Sequence, residues 1–305
     1  MTFLLELVPA LLLGLLLARR WPELSQRLAP PLVRWGVPFS LMGLMLRSGL
    51  QWRYAEMLVL ALALVATGLL LVHAAPRLFP GPAERLGAVV GNTAYFGIPA
   101  ALALLPPAAV GYAISYDLAA TLFTWCLGPL LLAGERLRPR ALLQTLLASP
   151  ASRGLLGASV LQLTPWSAGL AAWLWWPARA VVLLSLLLLG MRLAQRTAIQ
   201  LPRRLWAVLA VKLLLFPLVL LGLCLLLAPT PLALPPLAMA AVVVQAAAPT
   251  AVSVLLLAEA TPERPAAMVQ AAAGLVLIST LLALLSVPLW ARLLANLGLH
   301  GGGGG

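Results

Sequence analysis

Few side chains in this sequence can do chemistry, and they fall in two clusters and two isolated positions. Gly91-Asn92-Thr93 and Gly97-Ile98-Pro99 interrupt one apolar run, and Gln245 with Pro249-Thr250 interrupts another. Asp117 and Lys212, the sole aspartate and the sole lysine, each stand alone in apolar surroundings. Pro removes a backbone donor and crowds the preceding turn, and Gly loosens a helix further. A helix opened at such a point leaves carbonyls bare on one half and N–H groups bare on the other. The bare N–H end carries partial positive charge and can receive an anion without placing a full charge in an apolar medium. Asn92, Thr93, Gln245 and Thr250 add neutral hydrogen-bonding groups beside the openings. This is equipment for holding a guest molecule rather than for breaking bonds. Asp117 is an ionisable group deep in an apolar run, where a carboxylate is expensive and is a functional candidate by default. It could bind a proton or a sodium ion.

Catalytic constellations are missing. An intramembrane acid protease needs two aspartates, and there is one. No H-E-x-x-H, G-x-S-x-G or paired Cys/His arrangement is present. His73 and His300 are too few for a histidine metal centre, and Cys126 and Cys224 sit in apolar runs as small hydrophobes. The expectation is a chain that is not an enzyme, with no metal and no cofactor beyond a coupling proton or sodium ion.

The elements that must position these residues follow from composition. The 305 residues are 63% hydrophobic and only 9% charged, against about 25% charged in soluble domains. The chain is expected to be a polytopic, all-α membrane protein in the cell's inner (plasma) membrane. Ten apolar segments can be marked, at about 3–18, 32–50, 55–75, 86–105, 109–133, 151–165, 177–194, 204–227, 235–258 and 267–291. The net charge of +12 comes from arginines in short connections, such as Arg19, Arg20, Arg27 and Arg34 after the first segment. That pattern sets topology and carries no nucleic-acid signature. Odd-numbered connections are therefore placed in the cytoplasm and both termini outside, with Arg47 and Arg53 on the wrong side.

Weak internal matches suggest two halves of five spans in opposite orientation. Met45-Leu46-Arg47 aligns with Gly190-Met191-Arg192, and Pro99 with Pro249. The expected division is a first repeat over 1–140, an inverted second repeat over 141–298 and a Gly-rich tail over 299–305. Spans four and nine would then be proline-broken crossover helices meeting in the membrane interior.

The stretch "GNTAYFGIPAALALL" resembles the GNT and G-I-P signature of the auxin efflux carrier family. The stretch "AAAPTAVSVLLLAEATPERPAAMVQAAAGLVLISTLLALLSVPL" resembles the last two spans of that family. The resemblance runs over the whole chain and is to the short prokaryotic form. It implies a secondary carrier with a scaffold domain (spans 1, 2, 6 and 7) and a transport domain (spans 3–5 and 8–10). It also implies a fold shared with bile acid/sodium symporters, helices crossing at their prolines, and a homodimer. By motif, Asn92 and Pro99 match the first crossover, and Gln245 and Pro249 the second. One departure is that Leu183 stands where Pro38 has its counterpart in the family's seventh span.

The function expected is alternating-access transport of a small organic anion, a carboxylate such as malate or an auxin-like acid. Substrate would be held by Asn92, Thr93, Gly97, Pro99, Gln245, Pro249 and Thr250, with Asp117 as coupling residue. The alternatives are a channel, a ligand sensor on the same fold, or a sodium-coupled symporter of the bile acid type. Lys212 could neutralise the anion, pair with an acid, or snorkel to the membrane surface. Arg179 beside the tryptophans reads as a headgroup contact, and Glu259 and Glu263 as solvated.

Overall fold

The computed structural model describes residues 2–48, 52–133, 140, 144, 147–148, 150–194, 203–261 and 266–299. Arginine-bearing stretches at 134–139 and 195–202, Glu263 and the tail from 300 lie outside them. Among the described residues the chain is helical, and its one β feature is an isolated antiparallel bridge between Gly91 and Thr250. Helix is present in each of the ten apolar segments.

The chain divides into two compact units that interleave along the sequence, residues 1–52 with 138–199 and residues 53–137 with 200–305. The first unit holds α1 (Thr2–Arg20), α2 (Leu24–Pro31), α3 (Val37–Ser48), α8 (Pro150–Gln162) and α9 (Ser167–Ala194). Within it α9 packs on α1 and α3, and α3 also packs on α8. The α1–α9 contact brings backbones together: a side chain at Gly14 would strike the Leu187 carbonyl, and one at Gly190 the Leu11 carbonyl. Close approach through small residues is how apolar helices gain dispersion contacts without a hydrophobic drive between them.

The second unit holds α4 (Trp52–Ala74), α5 (Pro82–Val89), α6 (Ile98–Leu104), α7 (Val110–Ala133), α10 (Arg203–Ala210), α11 (Phe216–Leu227), α12 (Pro236–Ala246), α13 (Val252–Ala260) and α14 (Ala266–Asn296). Four helical stretches here are long and apolar enough to cross a membrane: Glu56–Ala74, Pro107–Leu132, Arg203–Leu227 and Ala266–Asn296. Large apolar side chains such as Leu70, Leu71, Leu218, Leu226, Leu285 and Leu289 face outward, while Asn92, Asp117, Lys212, Gln245 and Ser279 are buried. Apolar outside and polar inside suits a hydrocarbon solvent, and the structure is compatible with a membrane-embedded chain.

Three widened, π-helical turns share one cause. They run over Leu32–Gly36, Thr93–Gly97 and Val211–Leu215. Each ends two residues before a proline: Pro38, Pro99 and Pro217. Proline cannot donate to the carbonyl four residues back, and its ring pushes that carbonyl aside. The turn answers by shifting to bonds five residues apart. Gly97 N–H donates to Asn92 O, Ile98 N–H to Thr93 O, and Phe216 N–H to Val211 O. The helix widens instead of breaking, as in the single-turn bulges that often mark functional positions.

This corrects the position of the first break. Pro99 was expected to open its span, but the helix runs on through it, the turn Thr93–Gly97 leading straight into α6. The true interruption is at Val90–Asn92, where Val90 is extended and Asn92 leaves helical geometry. Pro249, by contrast, lies inside the second interruption, between Ala246 and Val252. Across the bridge, Thr250 pairs with Gly91.

Candidate functional site

The site is where the two interruptions of the second unit meet. Asn92 N–H donates to Pro249 O at 2.6 Å, and Ala251 N–H donates to Val90 O at 3.1 Å. Each opened backbone thus fills part of the other's need, which matters because a bare peptide group in an apolar medium costs several kcal/mol. The remaining carbonyls find local or side-chain donors. On α5, Leu86 O accepts from Val90 N–H, Gly87 O from the Thr250 hydroxyl at 2.8 Å, and Val89 O from the Lys212 ammonium at 3.3 Å. On α12, Val243 O accepts from Ala247 N–H, Gln245 O from Ala248 N–H, and Ala246 O from Lys212 at 2.8 Å. Three of the four terminal carbonyls of each half-helix are thereby satisfied. Thr250 N–H donates to the Ser279 hydroxyl at 2.9 Å, which ties the second interruption to α14.

The side chains singled out by sequence gather here unequally. Asn92 is buried and starts the π-turn without capping it, so its carboxamide is not spent on the helix start. Thr93 donates to Oδ1 of Asp117 at 2.6 Å, and Thr121, one turn on from Asp117, donates to the same oxygen at 3.4 Å. Asp117 is fully buried, its Oδ2 has no partner, and it forms no ion pair among the described residues. Gln245 is fully buried too. Its Nε2 donates to Ala113 O at 2.9 Å, one turn before Asp117, and its Oε1 is unpartnered. Gly97 lies against that oxygen: a Cβ there would collide with it. Pro99 shapes the turn before it and contributes no polar group.

Two features escaped sequence reasoning. Lys212 was read as able to neutralise an anion, pair with an acid or snorkel, and it is wholly enclosed against two carbonyls and a ring. Ser279 was not singled out at all. Its signal was available: Ser279-Thr280 is a polar pair in the middle of a 31-residue apolar helix. The widened turn that carries Lys212 also has a signal in Pro217. The carbonyl Pro217 cannot serve is that of Leu213, and Trp290 Nε1 of α14 donates to it at 2.9 Å.

No cluster of three or more His, Cys, Asp or Glu that could hold a metal occurs among the described residues. His73 bonds the carbonyl of Leu69 within its own helix, and both cysteines are free and buried. No protein-family model matches this chain, and no curated protein matches it.

Chemically, the arrangement offers two fully buried acceptors in want of donors, Asp117 Oδ2 and Gln245 Oε1. Both side chains anchor through α7, by Asp117 itself and by the Ala113 carbonyl. Buried polar atoms without partners are rare in folded proteins, and each asks for a proton, a water or a ligand.

Proposed function

We propose that this chain is a secondary transporter of a small organic anion, built as ten spans in an inverted repeat of the auxin efflux carrier type. Substrate binds at the meeting of the two interrupted helices and crosses by alternating access. The observation that carries this reading is the mutual bridging of Val90–Asn92 with Pro249–Ala251 inside a unit whose outer surface is apolar. Irregular backbone at such depth is tolerated where protein or a watery cavity satisfies it, and discontinuous helices are the usual seat of transported solutes. The N-terminal ends of the π-turn at Thr93 and of α13 at Val252 supply partial positive charge for a carboxylate. Asp117 supplies the ionisable group through which a gradient drives the cycle. On this reading the unit containing the crossover is the transport domain and the other is the scaffold.

The test is flux in vesicles containing the pure protein, with labelled dicarboxylates and aromatic carboxylates under imposed proton and sodium gradients. Saturable, counter-substrate-sensitive movement of at least one carboxylate is the expected result. Absence of flux for every anion under every gradient refutes the carrier, and large unitary currents in planar bilayers would replace it with a channel.

A further inference from the structure

The enclosed lysine is the group whose role the carrier reading does not use. Lys212 is 0% exposed, so its ammonium cannot reach a membrane surface. It has three N–H donors and meets three partners. Two are the carbonyls of Ala246 and Val89, at 2.8 and 3.3 Å. The third is the face of Phe216, whose centroid lies 5.1 Å away. Ala246 and Val89 are the last residues of α12 and α5, so both carbonyls sit at negative helix ends. Each such end is equivalent to roughly half a negative charge, and two of them face one positive charge. The ring sharpens the point, because an electron-rich face attracts a third N–H and would repel the lone pair of a neutral amine. No carboxylate pairs with Lys212 among the described residues.

Paired C-terminal ends of interrupted helices are also the chemistry that holds free alkali cations in membrane carriers. We propose that Lys212 is a tethered counter-cation: its ammonium occupies the seat at the crossover that a free sodium ion would otherwise fill. Gly91 makes the room, since a Cβ there would stand 3.2 Å from Nζ. The π-turn makes the reach, and Trp290 holds that turn in place through the Leu213 carbonyl. Occupancy of the seat does not depend on transport. Its consequence, that flux needs no sodium, rests on the carrier reading.

The experiment is thermal unfolding of the purified full-length protein in detergent, in sodium chloride against choline chloride at equal ionic strength. Three proteins are compared: wild type, Lys212→Ala and Lys212→Met. Wild type should unfold at the same temperature in both salts. Lys212→Ala leaves the carbonyls bare beside an emptied space, so it should unfold lower in choline. It should recover by about 3 °C or more in sodium or methylammonium, the size expected when a cation binds only the folded state. Lys212→Met fills the space without a charge and should not recover in either cation. The proposal is overturned if sodium stabilises wild type over choline by several degrees. It is equally overturned if Lys212→Ala is as stable as wild type in choline, or recovers in no small cation. Should neither variant fold, the wild-type comparison alone decides. A failed flux assay would leave these melting results standing, so the two readings fail separately.

Discussion

Asp117 offers a test in which structural and functional roles have opposite signs. Its Oδ1 accepts the 2.6 Å bond from Thr93, while Oδ2 is bare. Thr93→Val keeps the shape of residue 93 and deletes that bond, leaving Oδ1 only the 3.4 Å contact from Thr121. A hydrogen bond to a charged group contributes about 1.5–3 kcal/mol. At about 2 °C per kcal/mol, the low end for chains of some 150–250 residues, Thr93→Val should unfold roughly 3–6 °C below wild type. Asp117→Asn keeps the acceptor that Thr93 uses and replaces the bare oxygen with an amide, removing a buried charge whose desolvation costs several kcal/mol. Its unfolding temperature should equal or exceed that of wild type. In vesicles the same variant should still exchange labelled substrate across the membrane, yet lose gradient-driven accumulation, because the titrating group is gone. Melting curves by intrinsic fluorescence and paired exchange and accumulation assays read both. If Asp117→Asn falls in stability as far as Thr93→Val, or accumulates substrate like wild type, the carboxylate is a structural fixture and its assignment to coupling fails.

Gly97→Ala drives a methyl group into Oε1 of Gln245; flux should fall at least about tenfold, and Gly97→Ala with Gln245→Ala should recover part of the loss if the clash is the cause. Pro99→Ala frees the Thr93–Gly97 turn to tighten, which shifts Thr93 on Asp117, and should lower flux in part, whereas Pro249→Ala should abolish it by letting helix grow into the second interruption; equal effects would return the break to Pro99. Trp290→Phe removes a buried donor from Leu213 O and should cost about 1–3 kcal/mol in chemical denaturation. Pro217→Ala lets the backbone supply that donor instead, so the double variant should be less destabilised than the sum of the two; strict additivity would refute the link between proline, wide turn and tryptophan.

The apolar segments were legible because hydrophobic length is a long-range average that survives local irregularity. The second interruption was legible from Pro249, whose ring restricts Ala248 before it as well as its own donor. The first was half legible: Gly91-Asn92-Thr93 was marked, but the break was ascribed to Pro99, and proline has two outcomes in a helix. Pro99 follows a turn able to widen, and the break falls instead at Val90–Asn92, where extended Val90 and an unencumbered Gly91 let the segment around Thr250 approach. Nothing within 86–105 separates these outcomes, since the deciding contacts come from Pro249, Thr250 and Lys212, far along the chain. Lys212 was illegible for the same reason. A lone lysine in an apolar run reads as one able to snorkel until the two bare carbonyls that receive it are known, and those belong to helices 123 and 34 residues away.

The balance of donors and acceptors at the crossover refines what a guest must bring. The sequence pointed to bare N–H ends as the feature that would grip an anion. In the folded unit Asn92 N–H, Thr250 N–H and Ala251 N–H are all bonded within the protein. Lys212, the buried cation at the crossover, is saturated by carbonyls and a ring. Among the buried side-chain atoms here, those left wanting are acceptors, Asp117 Oδ2 and Gln245 Oε1. A carboxylate at the helix starts of Thr93 and Val252 meets positive ends, but beside these two oxygens it is a carboxylic acid or a hydroxyl that meets partners. On the carrier reading, the chemistry therefore favours an anion that arrives with a proton, shared between guest and Asp117, or one with a hydroxyl beside its carboxylate. A non-hydroxylated dicarboxylate should compete more weakly than its 2-hydroxy analogue, and the gap should narrow in Gln245→Ala, where one of the two waiting acceptors is gone.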